Sequence, residues 1–105
     1  MLFAVWCTAG ERAEEIRAKW RRQHFRYIVS QRSVIRTGGA LFAEDGHTIR
    51  GMLQVLDLPD REAAYQWVLD DPFGREGMWA TISVEAFHPR IPEPEPGFLE
   101  AQVMR

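Results

Sequence analysis

The run Leu2-Phe3-Ala4-Val5-Trp6-Cys7 is apolar at every position, and a strand with no polar parity needs cover on both of its faces. That requirement is hard to meet within 105 residues. A chain this short holds one core and buries only about two thirds of the surface it exposes when unfolded. A second layer of cover is therefore expected from another copy of the chain. The hydrophobic fraction of 46% is ordinary for a globular domain. A formal net charge of -2 gives no overall attraction toward nucleic acid or an anionic membrane.

The elements that follow can be read from their periods. From Glu11 to about Gln31, the residues Ala13, Ile16, Trp20, His24, Tyr27 and Gln31 advance by threes and fours, which predicts an amphipathic helix. Arg17, Lys19, Arg21, Arg22 and Arg26 mostly occupy its flanks, and Phe25 and Val29 fall on the far side without an evident partner. The arginines from Arg12 to Arg36 could attract an acidic ligand or RNA, but a solvated helix face explains them with fewer assumptions. Val34 to Phe42 reads as a second strand, and Glu44-Asp45-Gly46-His47 as a hairpin turn into a third, Ile49 to Asp57. Asp60 is placed to cap a second helix carrying Ala63, Ala64, Trp67 and Val68 inward. Asp71-Pro72 ends that helix, because the residue before proline is steered away from helical angles. Met78 to Phe87 alternates as a last strand, with Trp79 and Phe87 expected on the face opposite Met78, Ile82 and Val84.

Two helices between four strands in this order predict an α+β, ferredoxin-like βαββαβ sandwich with both helices on one face of an antiparallel sheet. The bare face would show Trp79, Phe87 and one apolar parity of the first strand, and a patch of that kind is usually a contact surface. Two sheets meeting face to face, each burying roughly 800 Å², would form a dimeric α+β barrel, so a homodimer is expected. The folded domain is expected over residues 1–88. Residues 89–105 form a proline-rich C-terminal tail, extended through Gly97, whose Phe98, Leu99, Val103 and Met104 dock on a partner or fray.

Two residues can carry chemistry. Helical spacing points His24 inward beside Trp20 and Tyr27, where an imidazole can titrate near neutrality and reach a cleft between helix and sheet. A histidine so placed can equally be a hydrogen-bonded core residue. Asp71 follows a helix end, where a carboxylate often serves only as a cap or turn former. Together the two have a further use, since a carboxylate can orient an imidazole for proton transfer.

The strand start, His24-x-x-Tyr27-Ile28, Gly38-Gly39-Ala40-Leu41, Asp45-Gly46, Asp71-Pro72-Phe73, Gly77-Met78-Trp79 and Val84-x-x-Phe87 together resemble the YciI family, from about Met1 to Phe87. No single motif is specific; their order and spacing are. The resemblance implies the dimeric α+β barrel superfamily and a pocket lined by a histidine and an aspartate, here His24 and Asp71. It also implies a small cofactor-independent enzyme or small-molecule binder, similar to dehydrochlorinases and muconolactone isomerases, moving a proton on a small ring compound. Gly39-Ala40 stands where the family usually has Gly-Pro. The alternative from another class is a non-catalytic dimeric module that binds a metabolite or a protein.

Other chemistries find less support. His24, His47, His88 and Cys7 lack metal-ligand spacing. There is no glycine-rich phosphate loop, dinucleotide fingerprint or nucleophile elbow, and no RNA-recognition signature in the strands. No cofactor, nucleic acid or membrane partner is expected. A single cysteine inside an apolar run and an opening without a basic leader suit a reducing cytoplasm.

Overall fold

The computed structural model describes residues 1–105. The elements run β1 (Leu2–Ala9), α1 (Ala13–Ser30), β2 (Ile35–Phe42), β3 (Ile49–Asp57), α2 (Arg61–Asp70), α3 (Pro72–Arg75), β4 (Trp79–Ala86) and α4 (Phe98–Val103). The sheet order is β2-β3-β1-β4, with every neighbouring pair antiparallel. With the helices added, this is the α+β ferredoxin-like arrangement.

β1 lies at the centre because both of its parities are apolar. Phe3, Val5 and Cys7 face the helices and join Met52, Leu56 and Val84 from the flanking strands with Ala64, Trp67 and Val68 of α2 in one core cluster. Fully burying a side chain of this size contributes about 1.5–3 kcal/mol, which is what fixes β1 against α2. A second cluster, Ala13, Ile16, Ile49, Phe73 and Met78, lies at the other end of α1. Two hydrogen bonds tie α1 and its C-cap residue to α2: Tyr27 donates its hydroxyl to the Trp67 carbonyl at 2.7 Å, and Trp67 Nε1 donates to Oε1 of the capping Gln31 at 3.0 Å.

The turns follow local chemistry. Asp45 Oδ1 accepts from the backbone N–H groups of His47 and Thr48 while Gly46 adopts φ 80°, so the β2–β3 hairpin closes as Asp-Gly demands. Asp60 caps α2 by accepting from Ala63 N at 2.8 Å. Asp71 then leaves helical angles (φ -65°, ψ 135°) ahead of Pro72 and caps the one-turn helix α3. The sequence pattern marks only a turn there; a proline at the first position and the Asp71 cap are enough to wind it.

One expectation is corrected. Simple alternation puts Trp79 on the bare face, yet the structure packs it against both helix-side clusters. The reason is a bulge: Thr8 pairs with Thr81 but Ala9 pairs with Trp79, so Ala80 is an extra residue that reverses the parity of the strand start. The other face of the sheet is uncovered. It presents Trp6, 56% exposed, beside its cross-strand partner Leu53, 42% exposed. Beyond β4 no residue of the tail is buried, and α4 begins after Gly97 turns the chain at φ 83°. No helix is long and apolar enough to cross a membrane.

Candidate active site

His24 and Asp71 lie 47 positions apart in sequence and meet in the interior. Nδ1 of His24 is 2.9 Å from Oδ1 and 2.8 Å from Oδ2 of Asp71. Both residues are buried, Asp71 completely. α1 delivers the histidine from its inner stripe. The α2–α3 junction delivers the aspartate, because Asp71 must cap α3 and its Oδ1 also accepts from Phe73 N at 3.2 Å. A carboxylate facing Nδ1 holds the proton on that nitrogen and leaves the lone pair on Nε2. Nε2 makes no hydrogen bond within the protein.

The imidazole is also held by its face. Phe73 stacks on it with centroids 4.0 Å apart and planes 8° from parallel, and Phe25 meets it edge-on at 5.1 Å. Phe73 in turn meets Trp79 edge-on at 6.4 Å.

These rings wall a pocket of about 210 Å³ between α1, the β2–β3 sheet edge and α3. His24, Phe25, Phe73, Met78 and Trp79 line it, with Phe42 and Ile49 on the sheet side and Arg17 and Arg21 from α1. An apolar cavity of about 150 Å³ houses a benzene ring, so this pocket suits a single substituted ring. The two arginines depart from expectation: they do not merely coat a solvated face. Arg17, Arg21 and His24 recur at i, i+4 and i+7, the spacing of one helix stripe, and that was the available signal. Phe25 lies on the pocket side of α1 as well. Phe73 and Trp79 could not be found from spacing, since one depends on α3 and the other on the bulge.

Cys7 offers no competing nucleophile. Burial, and secondarily the charge of Asp71, push its thiol up to about 12. No group of three or more His, Cys, Asp or Glu side chains converges as a metal site.

A family described as YCII-related domain matches residues 1–88. Among curated proteins no match is found. Among solved structures, the chain is similar to 5-chloro-2-hydroxyhydroquinone dehydrochlorinase from Burkholderia phenoliruptrix AC1100, in complex with 2,5-dihydroxybenzoquinone. The TM-score is 0.77 at 20% identity, over 89% of this chain and 99% of that one. At that identity the likeness establishes the fold.

Proposed function

The chain belongs to the YCII-related domain family, and on that premise we propose that it is a small cofactor-independent enzyme of lyase or isomerase type that moves a proton on a small ring compound. His24 is the acid and base, and Asp71 is the positioning residue behind it. The observation that carries the reading is the buried His24–Asp71 hydrogen bond, with the same imidazole forming a pocket wall. The similar fold of a dehydrochlorinase holding a hydroxylated quinone supports a ring of that size.

The chemistry balances without a further reactant. Nε2 takes a proton from a ring carbon next to a carbonyl; the C–H electron pair moves into the ring and leaves an enolate. The enolate then either expels a leaving group, which is elimination, or regains the proton from Nε2–H at another carbon, which is isomerisation. General acid and base catalysis of this kind is worth about 10² to 10⁴ in rate.

The proposal includes a homodimer closed over the bare sheet face, because Trp6 and Leu53 stand exposed side by side there.

The test is chloride release from 5-chloro-2-hydroxyhydroquinone and deuterium uptake from solvent into enolisable cyclic ketones, for the wild-type chain and His24→Asn. Activity on any of these that disappears in the variant supports the reading. Activity that survives His24→Asn unchanged refutes the role of His24.

A further inference from the structure

The polar groups of the pocket are unevenly divided between donors and acceptors. Its lining contains no aspartate or glutamate. Besides the imidazole, the hydrogen-bonding side chains are Arg17, Arg21 and Trp79, all of which can only donate. Among the lining side chains the one nitrogen or oxygen acceptor is the His24 imidazole. Trp79 sharpens the imbalance, because its indole N–H is sealed from solvent and has no acceptor within the protein. A buried donor left unmet is costly.

The arginines are held at the pocket and not turned away from it. The Arg17 guanidinium lies 5.6 Å over the Phe42 ring and that of Arg21 lies 4.8 Å over the Phe25 ring. Both rings belong to the lining. Arg17 has a distant acidic neighbour in Glu14, at 3.9 Å, whose other oxygen accepts from Ile49 N at 3.2 Å. Arg21 has no carboxylate partner, and Arg22 and Arg26 share the adjoining groove and add to the positive field. The only carboxylate near the chemistry, Asp71, stands behind the imidazole and is engaged by it.

Resting on the pocket reading above, we infer that the ligand is a small ring bearing an ionised oxygen group, carboxylate or enolate, and that Arg21 is the residue that selects it, with Arg17 beside it. An anionic oxygen at the mouth gains charge-assisted hydrogen bonds from a guanidinium whose geometry matches it. The ring then lies in the pocket that Phe73 and Trp79 help to line, with its reacting carbon toward the His24 imidazole. A neutral ring of the same shape gains the apolar contacts without the charged ones.

The experiment uses the full chain and two matched pairs of rings: benzoate against benzamide, and para-nitrophenolate against para-nitroanisole at a pH above the pKa of the phenol. Binding is followed by NMR at the His24 ring protons and the Trp79 indole N–H, for the wild type, Arg21→Gln and Arg17→Gln. The anion of at least one pair should bind roughly tenfold tighter than its neutral partner, as one charge-assisted hydrogen bond allows. Arg21→Gln should erase that preference and leave the neutral ring's affinity in place. Preference in the first pair identifies a carboxylate ligand, and in the second an enolate or phenolate. Equal affinity within both pairs, or a preference that persists in Arg21→Gln, overturns the inference while leaving the pocket reading intact. Rings of either kind that move neither His24 nor Trp79 overturn the pocket reading itself, and the inference with it.

Discussion

The imidazole of His24 lies flat on the ring of Phe73, 4.0 Å between centroids and 8° from parallel. Phe73 is two residues beyond Asp71, so one short segment holds the histidine by its edge and by its face. Replacing Phe73 with leucine keeps an apolar group there but removes the flat support. Stability should fall by about 1–2 kcal/mol, from lost stacking and imperfect repacking. Turnover should fall by about tenfold or more, since a reacting group displaced by even about 1 Å is costly. The part of the ring-current shift on the His24 protons that comes from the Phe73 stack should be lost in the same variant. An unchanged shift together with unchanged turnover would show that the stack positions nothing.

Asp71 does two jobs that substitution can separate. Asparagine retains an oxygen to accept from Phe73 N, so α3 stays capped, but it gives the imidazole no anionic partner. Alanine loses both. Asp71→Asn is expected to lower turnover by about 10²-fold or more with a modest loss of stability. Asp71→Ala should add roughly 1 kcal/mol of destabilisation for the missing cap. Urea unfolding of the two variants beside their kinetics measures the split. Equal turnover in wild type and Asp71→Asn would confine the residue to capping.

The meeting of these two residues was legible because each obeys a local rule. Helix period turns His24 inward, and proline at 72 stops α2 at Asp71. The four strands and their order were legible for the same reason, since Asp45-Gly46 and Asp60 act within a few residues of themselves. The wall around the pair was not legible. Trp79 changes faces through a bulge that depends on how β1 and β4 register across space, and no pattern within β4 announces it. Arg17 and Arg21 looked like a solvated flank because a helix wheel cannot show that Phe42 and Phe25 will lie beneath them. The candidate site is assembled from tertiary contacts that strand parity and helix period do not encode.

Cys7 makes a pH prediction of definite sign. Burial, then the charge of Asp71, raise its thiol from 9.0 to about 12 in the folded chain. Below the unfolded value both states hold the proton, and the thiol has no effect on the folding equilibrium. As pH rises past that value the unfolded chain ionises and the folded chain does not, so stability declines, by up to about 1.4 kcal/mol per pH unit. The decline ends near the folded value. Cys7→Ala, less stable at neutral pH for want of core volume, should show a flatter profile over that window. Parallel profiles for the two proteins would refute the assignment. Native protein should also resist thiol reagents at neutral pH and react only once denaturant unfolds it.

Two glycines at the sheet make opposite predictions. A Cβ at Gly51 would stand 2.1 Å from the backbone oxygen of Cys7, and the central pair of strands cannot part to admit it. Gly51→Ala should cost about 3 kcal/mol, the upper range for overpacking, and lower the urea midpoint sharply. A Cβ at Gly38 would meet the side chain of Gln54 instead, 1.6 Å from Oε1. That amide can swing aside, so Gly38→Ala should cost far less. A reversed order of urea midpoints would mean that the Gln54 side chain is locked in place and the β1–β3 contact is the softer one.

The proposed dimer would close over the bare sheet face. Trp6 pairs across the ladder with Leu53 on one side and Ser83 on the other, and burying an indole that is 56% exposed would recover a large share of the apolar area that one copy leaves in water. A glutamate at position 6 keeps the strand, whose buried parity is Phe3, Val5 and Cys7, and places a charge at the centre of the proposed interface. Desolvating that charge without a partner is prohibitive. Sedimentation should therefore find the wild type dimeric at micromolar concentration and Trp6→Glu monomeric, with circular dichroism unchanged. The His24 and Asp71 pocket lies on the opposite, helix-covered face, so ring binding should persist in the monomer, weakened only as far as dimerisation stiffens the sheet beneath it. A wild-type chain that sediments as a stable, fully folded monomer would mean that a single copy tolerates its exposed Trp6 and Leu53, and the barrel would have to be abandoned.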